Sequence, residues 1–367
     1  MKISELQGLR GIAILSVLVF HFTVRWGSQT TGKQSLYPFG DAFGGAYWAL
    51  FQGHLGVQLF FMISGFVIWS TLENSKSLTQ FWAKRFSRIW PPLLLALPIV
   101  WLVLNFSPAL PGSSANLKDL GLSFLLIKPQ TLYLASHGTV AYTYVTGVLW
   151  TLWIEILFYL LASVIYFKGR YFLATLAGLG IAYGGYVLLS HTRLWLLVPD
   201  SVAWAFSVSP VADLGNYLWW FIAGATVFAI RKQTASPKLW FLYIAAFLAT
   251  TLLSLDGNKD NLAAFAIANF AIFAVFLPIA KPKANRFLSA KWLVFVGNIS
   301  FELYLVHEAI GVSILQLIRV HSWDSSVWVL LPVTALCLGL AYLIYKYWSI
   351  PACRWTKNAL TRQTTSP

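Results

Sequence analysis

Charge is what this sequence has least of. Only 10% of its residues are Asp, Glu, Lys or Arg, and 58% are hydrophobic, whereas a water-soluble domain carries about a quarter charged residues. A soluble globular fold is excluded, and no polar segment is long enough to form one separately. Cysteine is nearly absent too. Cys337 and Cys353 supply neither a disulfide framework nor a ligand spacing for a metal, so no metal site is expected. Acid is scarce beside base, with 12 Asp and Glu against 26 Lys and Arg and a net charge of +14. The basic residues form short clusters between long apolar runs and no extended basic face, which argues against a nucleic-acid partner. A lipid bilayer is the expected surrounding.

Apolar runs fill most of the chain. Stretches of roughly 18 to 23 residues, about the length that crosses a 30 Å hydrocarbon layer, predict about ten transmembrane helices near 8–25, 50–72, 89–106, 147–167, 171–190, 214–230, 239–255, 261–280, 292–315 and 327–348. The fold class is therefore all-α, a polytopic membrane bundle. With the N-terminus inside, the cytoplasmic segments collect 19 of the 26 basic residues: Lys2 and Arg10; Lys76, Lys84, Arg85 and Arg88; Lys168 and Arg170; Arg231, Lys232 and Lys238; Lys281, Lys283, Arg286 and Lys291; Lys346, Arg354, Lys357 and Arg362. The positive-inside rule then places both termini in the cytoplasm. Residues 120–127, "LGLSFLLI", are too short to span and are read as a re-entrant or interfacial helix, with an eleventh span as the alternative. A signal peptide over the first 26 residues fits poorly, because Arg10 and His21 interrupt it and no small-residue cleavage site follows. The domain organisation expected is one transmembrane domain over 1–355 and a short polar cytoplasmic tail over 356–367.

Several polar residues stand inside the apolar runs. In "LQGLRGIAILSVLVFHF", Arg10 and His21 are eleven residues apart, three helical turns plus about 20°, so they share one face about 16 Å apart along the axis. His21 falls near the middle of the bilayer, where an ionisable side chain must face the bundle interior and by default marks a functional site. Glu155 lies in the fourth run with no basic residue in that helix, so it needs a partner on another helix or a proton. The ninth carries "GNISFELYLVHEAI", in which Ser300, Tyr304, His307 and Glu308 recur at spacings of three and four. A polar seam that only holds helices together would use the same residue types. In "FWAKRFSRIWPP", Arg85 and Arg88 share a face if the stretch is helical, with Lys84 beside them and Pro91 and Pro92 bending the chain. Their guanidinium groups suit bidentate phosphate contacts, although basic residues at a cytoplasmic boundary are also expected from topology alone.

Five blocks, "LQGLRGIAILSVLVFHF", "GVQLFFMISGFVI", "FWAKRFSRIWP", "LWTLWIEILFYL" and "GNISFELYLVH", resemble in order and spacing those of the family-3 membrane acyltransferases. Such proteins move acyl groups, commonly acetyl from acetyl-CoA, onto sugar hydroxyls of bacterial surface glycans, signals or antibiotics. The resemblance implies acyl-CoA as co-substrate with no permanently bound cofactor, a glycan or glycolipid acceptor, and a place in the bacterial inner membrane. It makes Arg10 and His21 the family's arginine and histidine signature, with His21 as the essential histidine. Lys84, Arg85 and Arg88 become candidates for acyl-donor binding, and Ser300, Tyr304 and His307 a supporting seam. The chain departs from the family at Gln7 and Gln58, where an acid is frequent, and at "SIPACRW", which lacks a glutamate before its proline.

The expected chemistry is proton removal from a weakly acidic alcohol and stabilisation of an oxyanion on an already activated thioester. Neutral histidine suits the first task, so His21 is the candidate general base. Arg10 is placed to orient the donor or stabilise negative charge. Glu155 is a candidate either to hold the His21 imidazolium or to bind a sugar hydroxyl. A transporter or flippase would also bury charged residues and use His21 and Glu155 as a proton relay, but paired interrupted helices in the two halves are not found. A scaffold subunit of a glycan-export machine would need only the seams. Tyr37, Tyr47, Trp48, Tyr133, His137, Tyr142 and Tyr144 lie in the two long outer stretches, where aromatic rings serve sugar stacking or the ordinary interfacial belt.

Overall fold

The computed structural model describes residues 3–169, 171–193, 198–232, 236–254, 261–281 and 285–363. Lys2, Arg170, Lys283 and the Arg362 side chain, all counted in the charge pattern, lie outside the described residues, as do tail residues 364–367. Helices alone make up the described regular structure, with no strand. Eight are long and apolar enough to cross a membrane, and with them the protein is a multi-pass membrane bundle. In chain order the principal helices are α1 (Ser4–Thr23), α2 (Gly44–Glu73), α3 (Leu78–Asn105), α4 (Gly147–Lys168) and α5 (Phe172–Ser190). They continue as α6 (Pro210–Lys232), α7 (Pro237–Leu253), α8 (Leu262–Ala280), α9 (Ser300–Val320) and α10 (Val327–Leu360). Each expected span thus has a helix, but two differ in kind. α6 carries Asp213 at its start and Arg231 and Lys232 at its end, and α7 has only 17 residues.

Three local departures from the sequence reading have clear causes. The third helix starts eleven residues before its expected apolar span, at Leu78, because the Ser77 hydroxyl accepts from the Gln80 amide at 3.2 Å and caps it. "FWAKRFSRIWPP" is therefore helical, and the helix runs on through Pro91 and Pro92. The stretch 120–127, read as too short to span, overlaps the short helix Leu117–Ser123, which ends in a turn with Leu126 at φ 55°, and it is the alternative of an eleventh span that does not form. The ninth expected span is divided at Ile299 between the short helix Lys291–Asn298 and α9. Within α9, residues His307–Val312 form a π-helical turn.

α1 is enclosed along most of its length, with Leu9, Ala13, Ile14 and Val17 fully buried. It packs against α2, the short helix Lys291–Asn298 and α9. Close approach depends on glycine: a Cβ at Gly56 would meet the Ala13 carbonyl, and one at Gly8 the Leu288 carbonyl. Small residues let helix backbones come together where lipid gives no hydrophobic drive for packing. This central helix carries Arg10 near one end and His21 near the other.

Candidate functional site

Two polar centres lie along α1, and the residues expected to act together divide between them. The first is at the His21 end. The His21 carbonyl belongs to the last helical turn, where backbone acceptors lack partners, and the Tyr37 hydroxyl donates to it at 2.7 Å. Tyr37 is buried and takes the Trp26 amide at 2.9 Å, so the loop that follows α1 is fastened to its end. On the ring, Nδ1 lies 2.9 Å from the Val17 carbonyl and 3.3 Å from Nε2 of His307. Nε2 lies 3.3 Å from Oε1 of Glu308. The imidazole is 12% exposed and the carboxylate 6%, so the pair is largely shielded yet open on one side. Glu308 Oε2 faces Gly147, where an added Cβ would stand 3.4 Å away. Although two histidines and a glutamate meet here, no group of His, Cys, Asp or Glu among the described residues is arranged to hold a metal ion.

The second centre is a small, partly open space of about 70 Å³ lined by Arg10, Arg88, Glu155, Tyr159, Ser64 and Tyr304, with Ser300 also on its wall. Glu155 Oε1 accepts from the Ser64 hydroxyl at 2.6 Å and from the Tyr159 hydroxyl. Arg10 and Arg88 line the same space as this half-buried carboxylate, so its charge stands in a basic surrounding. Glu155 is therefore not the acid beside His21; that position belongs to Glu308. Tyr304 closes the space toward His21, with its hydroxyl 2.9 Å from Thr151 Oγ1 and 3.2 Å from the Val148 carbonyl. Its ring stands 5.7 Å from that of His307.

Arg88 also borders a much larger cavity of about 1020 Å³ at the Ser4 end of α1. Lys84, Arg85, Arg231, Lys232, Arg354 and Lys357 line it, so basic clusters from α3, α6 and α10 converge on one end of the bundle. Not all of these charges are equally free. Lys84 donates to the Asn74 carbonyl and to Ser75 Oγ at 3.0 Å, and Lys232 pairs with Glu73 at 2.7 Å. Arg85 is buried, donates from Nη2 to Thr71 Oγ1 at 2.9 Å and sits over the Tyr159 ring at 5.9 Å, with its Nε unpartnered. Ser349, Ile350 and Cys353 of "SIPACRW" line the same cavity, while Gln7 and Gln58 leave buried carbonyl oxygens without a partner among the described residues.

The outer aromatic residues divide by exposure. Tyr37 and Tyr144 are buried, and Trp48 and Tyr133 are more than 40% exposed. Tyr142 donates to the Ile127 carbonyl and meets Tyr144 edge-on. Burial pushes the Tyr142 phenol up to about 12 and that of Tyr144 higher still, so both stay neutral and hold the loop together. Only the exposed rings remain available for stacking.

Both centres and the basic cavity fall almost entirely within one stretch of similarity, in which a family described as an acyltransferase domain matches residues 3–346. The chain belongs to this acyltransferase family. O-acetyltransferase OatA of Staphylococcus aureus (strain NCTC 8325 / PS 47) is 25% identical over 336 residues, covering 83% of this chain and 50% of that protein. Nodulation protein 10 of Rhizobium leguminosarum bv. viciae is 25% identical over 340 residues, 84% of each chain. Acyltransferase MdmB of Streptomyces mycarofaciens is 30% identical over 118 residues, 31% of this chain and 27% of that protein. The chain spans about half the length of the OatA relatives it matches. No solved structure matches it significantly. Arg10, His21, Glu155 and Glu308 all lie inside the matched acyltransferase domain.

Proposed function

We propose that this protein is an inner-membrane O-acyltransferase that takes an acyl group, acetyl from acetyl-CoA, and transfers it to a hydroxyl of an exported glycan or glycolipid. The observation that carries the reading is the arrangement along α1: a basic cavity of about 1020 Å³ at one end and a shielded histidine–carboxylate pair, 3.3 Å apart, at the other. Acyl-CoA is polyanionic at its nucleotide and neutral at its thioester. Guanidinium groups such as those of Arg85 and Arg88 bind phosphate in a forked geometry. The donor's arm then leads past Arg88 and Arg10, which orient it by their charge, on toward the His21 end, where the thioester meets the acceptor. At the far end, His21 Nε2 takes the acceptor hydroxyl proton while the oxygen–carbon bond forms and the carbon–sulfur bond breaks. The thiolate leaves and takes up a proton on the donor side, and His21 then releases the proton it accepted, which restores the neutral ring. Glu308 balances the imidazolium charge that appears on His21.

The basic clusters at one end of the bundle support a cytoplasmic face there and, with it, cytoplasmic termini. Reporter fusions after residues 80, 169 and 285 are expected to report cytoplasm, and an external signal after 169 would reverse every later helix. On the donor side, Arg85→Lys and Arg88→Lys keep the charge and lose the fork. Activity is expected to fall mainly through a raised KM for acyl-CoA, read from initial rates in membranes at varied donor concentration; unchanged donor dependence in both variants would return the pair to topology alone.

A further inference from the structure

His21 is engaged at both ring nitrogens by two consecutive residues. Glu308 Oε1 lies 3.3 Å from Nε2, and His307 Nε2 lies 3.3 Å from Nδ1. Neighbours on a regular α-helix point about 100° apart. The π-helical turn that begins at His307 widens the backbone at this place, a feature common at functional sites, and there both side chains reach the same ring.

The partners of the two rings allow their protons to be assigned. His307 is completely buried, and its Nδ1 lies 2.9 Å from the Tyr304 carbonyl and 3.1 Å from the Leu303 carbonyl. Carbonyl oxygens only accept, so Nδ1 of His307 carries the proton and, in the neutral ring, its Nε2 is a bare acceptor. His21 Nδ1 therefore faces two acceptors, this nitrogen and the Val17 carbonyl at 2.9 Å. It must be protonated whatever the charge of the ring, so Nε2 is the nitrogen that gains and loses a proton, and that second proton lies between Nε2 and Glu308 Oε1, 3.3 Å away. The two rings meet edge to face at 78°, with centroids 4.9 Å apart.

We infer that His307 is a positioning residue for acyl transfer: a neutral acceptor that holds His21 in its Nδ1–H tautomer and shares the Nδ1 proton of the imidazolium formed during the reaction. This rests on the reading of His21 as the base. In the step itself the hydroxyl proton passes to His21 Nε2 as the ester bond forms and the thioester bond breaks; His307 exchanges no proton. Its gain comes in the charged state, because hydrogen bonds to an ionised donor are about twice as strong as neutral ones. A second buried carboxylate in its place would add an unpaired charge.

The test compares wild type, His307→Gln, His307→Asn, His307→Leu and His21→Ala in lipid nanodiscs at matched folded amounts. Gln can set its carbonyl oxygen near the place of the histidine Nε2, whereas Asn is too short to reach His21. We expect kcat to fall about tenfold to a hundredfold in the Leu and Asn forms, the cost of losing orientation at a reacting group. The KM for acetyl-CoA is expected to stay unchanged, and Gln to recover most of the activity. Where the Leu form does not accumulate, the Gln and Asn pair carries the comparison. Nitrogen-15 NMR of the histidine-labelled protein, at a pH where His21 is neutral, is expected to show Nδ1 protonated, Nε2 bare, and a coupling to His307 Nε2 across the hydrogen bond. A neutral His21 protonated on Nε2, or a Gln form as slow as the Leu form, would overturn the inference. An inactive His21→Ala form beside a fully active His307→Leu form would remove the role of His307 alone. An active His21→Ala form would remove the base reading itself.

Discussion

Replacing His21 by alanine is expected to lower acyl transfer by roughly 10² to 10⁴, the usual cost of losing a positioned general base, and to leave a folded, membrane-inserted protein. Alanine is well tolerated in a span, and because the ring is largely shielded and packs edge-on to Phe20 and His307, the comparison is made at matched folded amounts. His21→Gln separates catalysis from packing. Glutamine can hydrogen-bond across helices but cannot take a proton, so it should be as inactive as alanine. The measurement is the acyl content of surface glycans, by mass, in cells whose only copy is the variant at matched protein level. Normal acylation would leave the transporter or scaffold readings ahead.

The second large effect is expected at Glu308. In the best-studied hydrolytic triad, replacing the carboxylate beside the catalytic imidazole costs about 10⁴ by leaving the ring in the wrong tautomer. Glu308 differs in touching Nε2 itself, so what its replacement removes is the charge that balances the imidazolium. Glu308→Gln should therefore reduce kcat by roughly 10² or more with little change in donor KM. Glu155→Gln should behave differently, because Glu155 lines the small inner space with Arg10 and Arg88, and His21 is not in that lining. Its effect is expected on the donor side, as a raised KM for acyl-CoA. Equal kinetic signatures for the two glutamates would contradict the division into two centres.

How much of this was legible in the sequence depends on the range of the contact. Periodicity along one helix is local, so Arg10 and His21 could be placed on α1 from spacing alone. Apolar runs found a helix for each expected span, because segment length against bilayer thickness is also a local property. The start of α3 was missed, since a serine cap at Ser77 outweighed the polar character of "AKRFSR". Pairings between helices were not legible. Glu155 was the evident buried acid, standing alone in an apolar helix, whereas Glu308 sat inside a seam already explained by packing. What brings Glu308 to His21 is the π-helical turn at His307–Val312, which regular helical spacing does not anticipate. Lys84 looked equivalent to Arg85 and Arg88, but its nearness to the Asn74 carbonyl commits it to the preceding turn. Aromatic residues in the outer loops carried no sign of which would be buried. Tyr37 proved to be a cap on the last turn of α1, a role set by a tertiary contact with the His21 carbonyl.

The most direct test of the central claim is transfer across a sealed bilayer. Purified protein is reconstituted in vesicles with a glycan acceptor trapped inside and acetyl-labelled acetyl-CoA added outside, and label on the trapped acceptor is followed for molecules whose basic end faces outward. The account predicts acceptor labelling by wild type, its loss in His21→Ala, and no labelling when donor and acceptor exchange sides. Labelling that persists in His21→Ala, or acceptor movement across the bilayer with no use of acetyl-CoA, would contradict it.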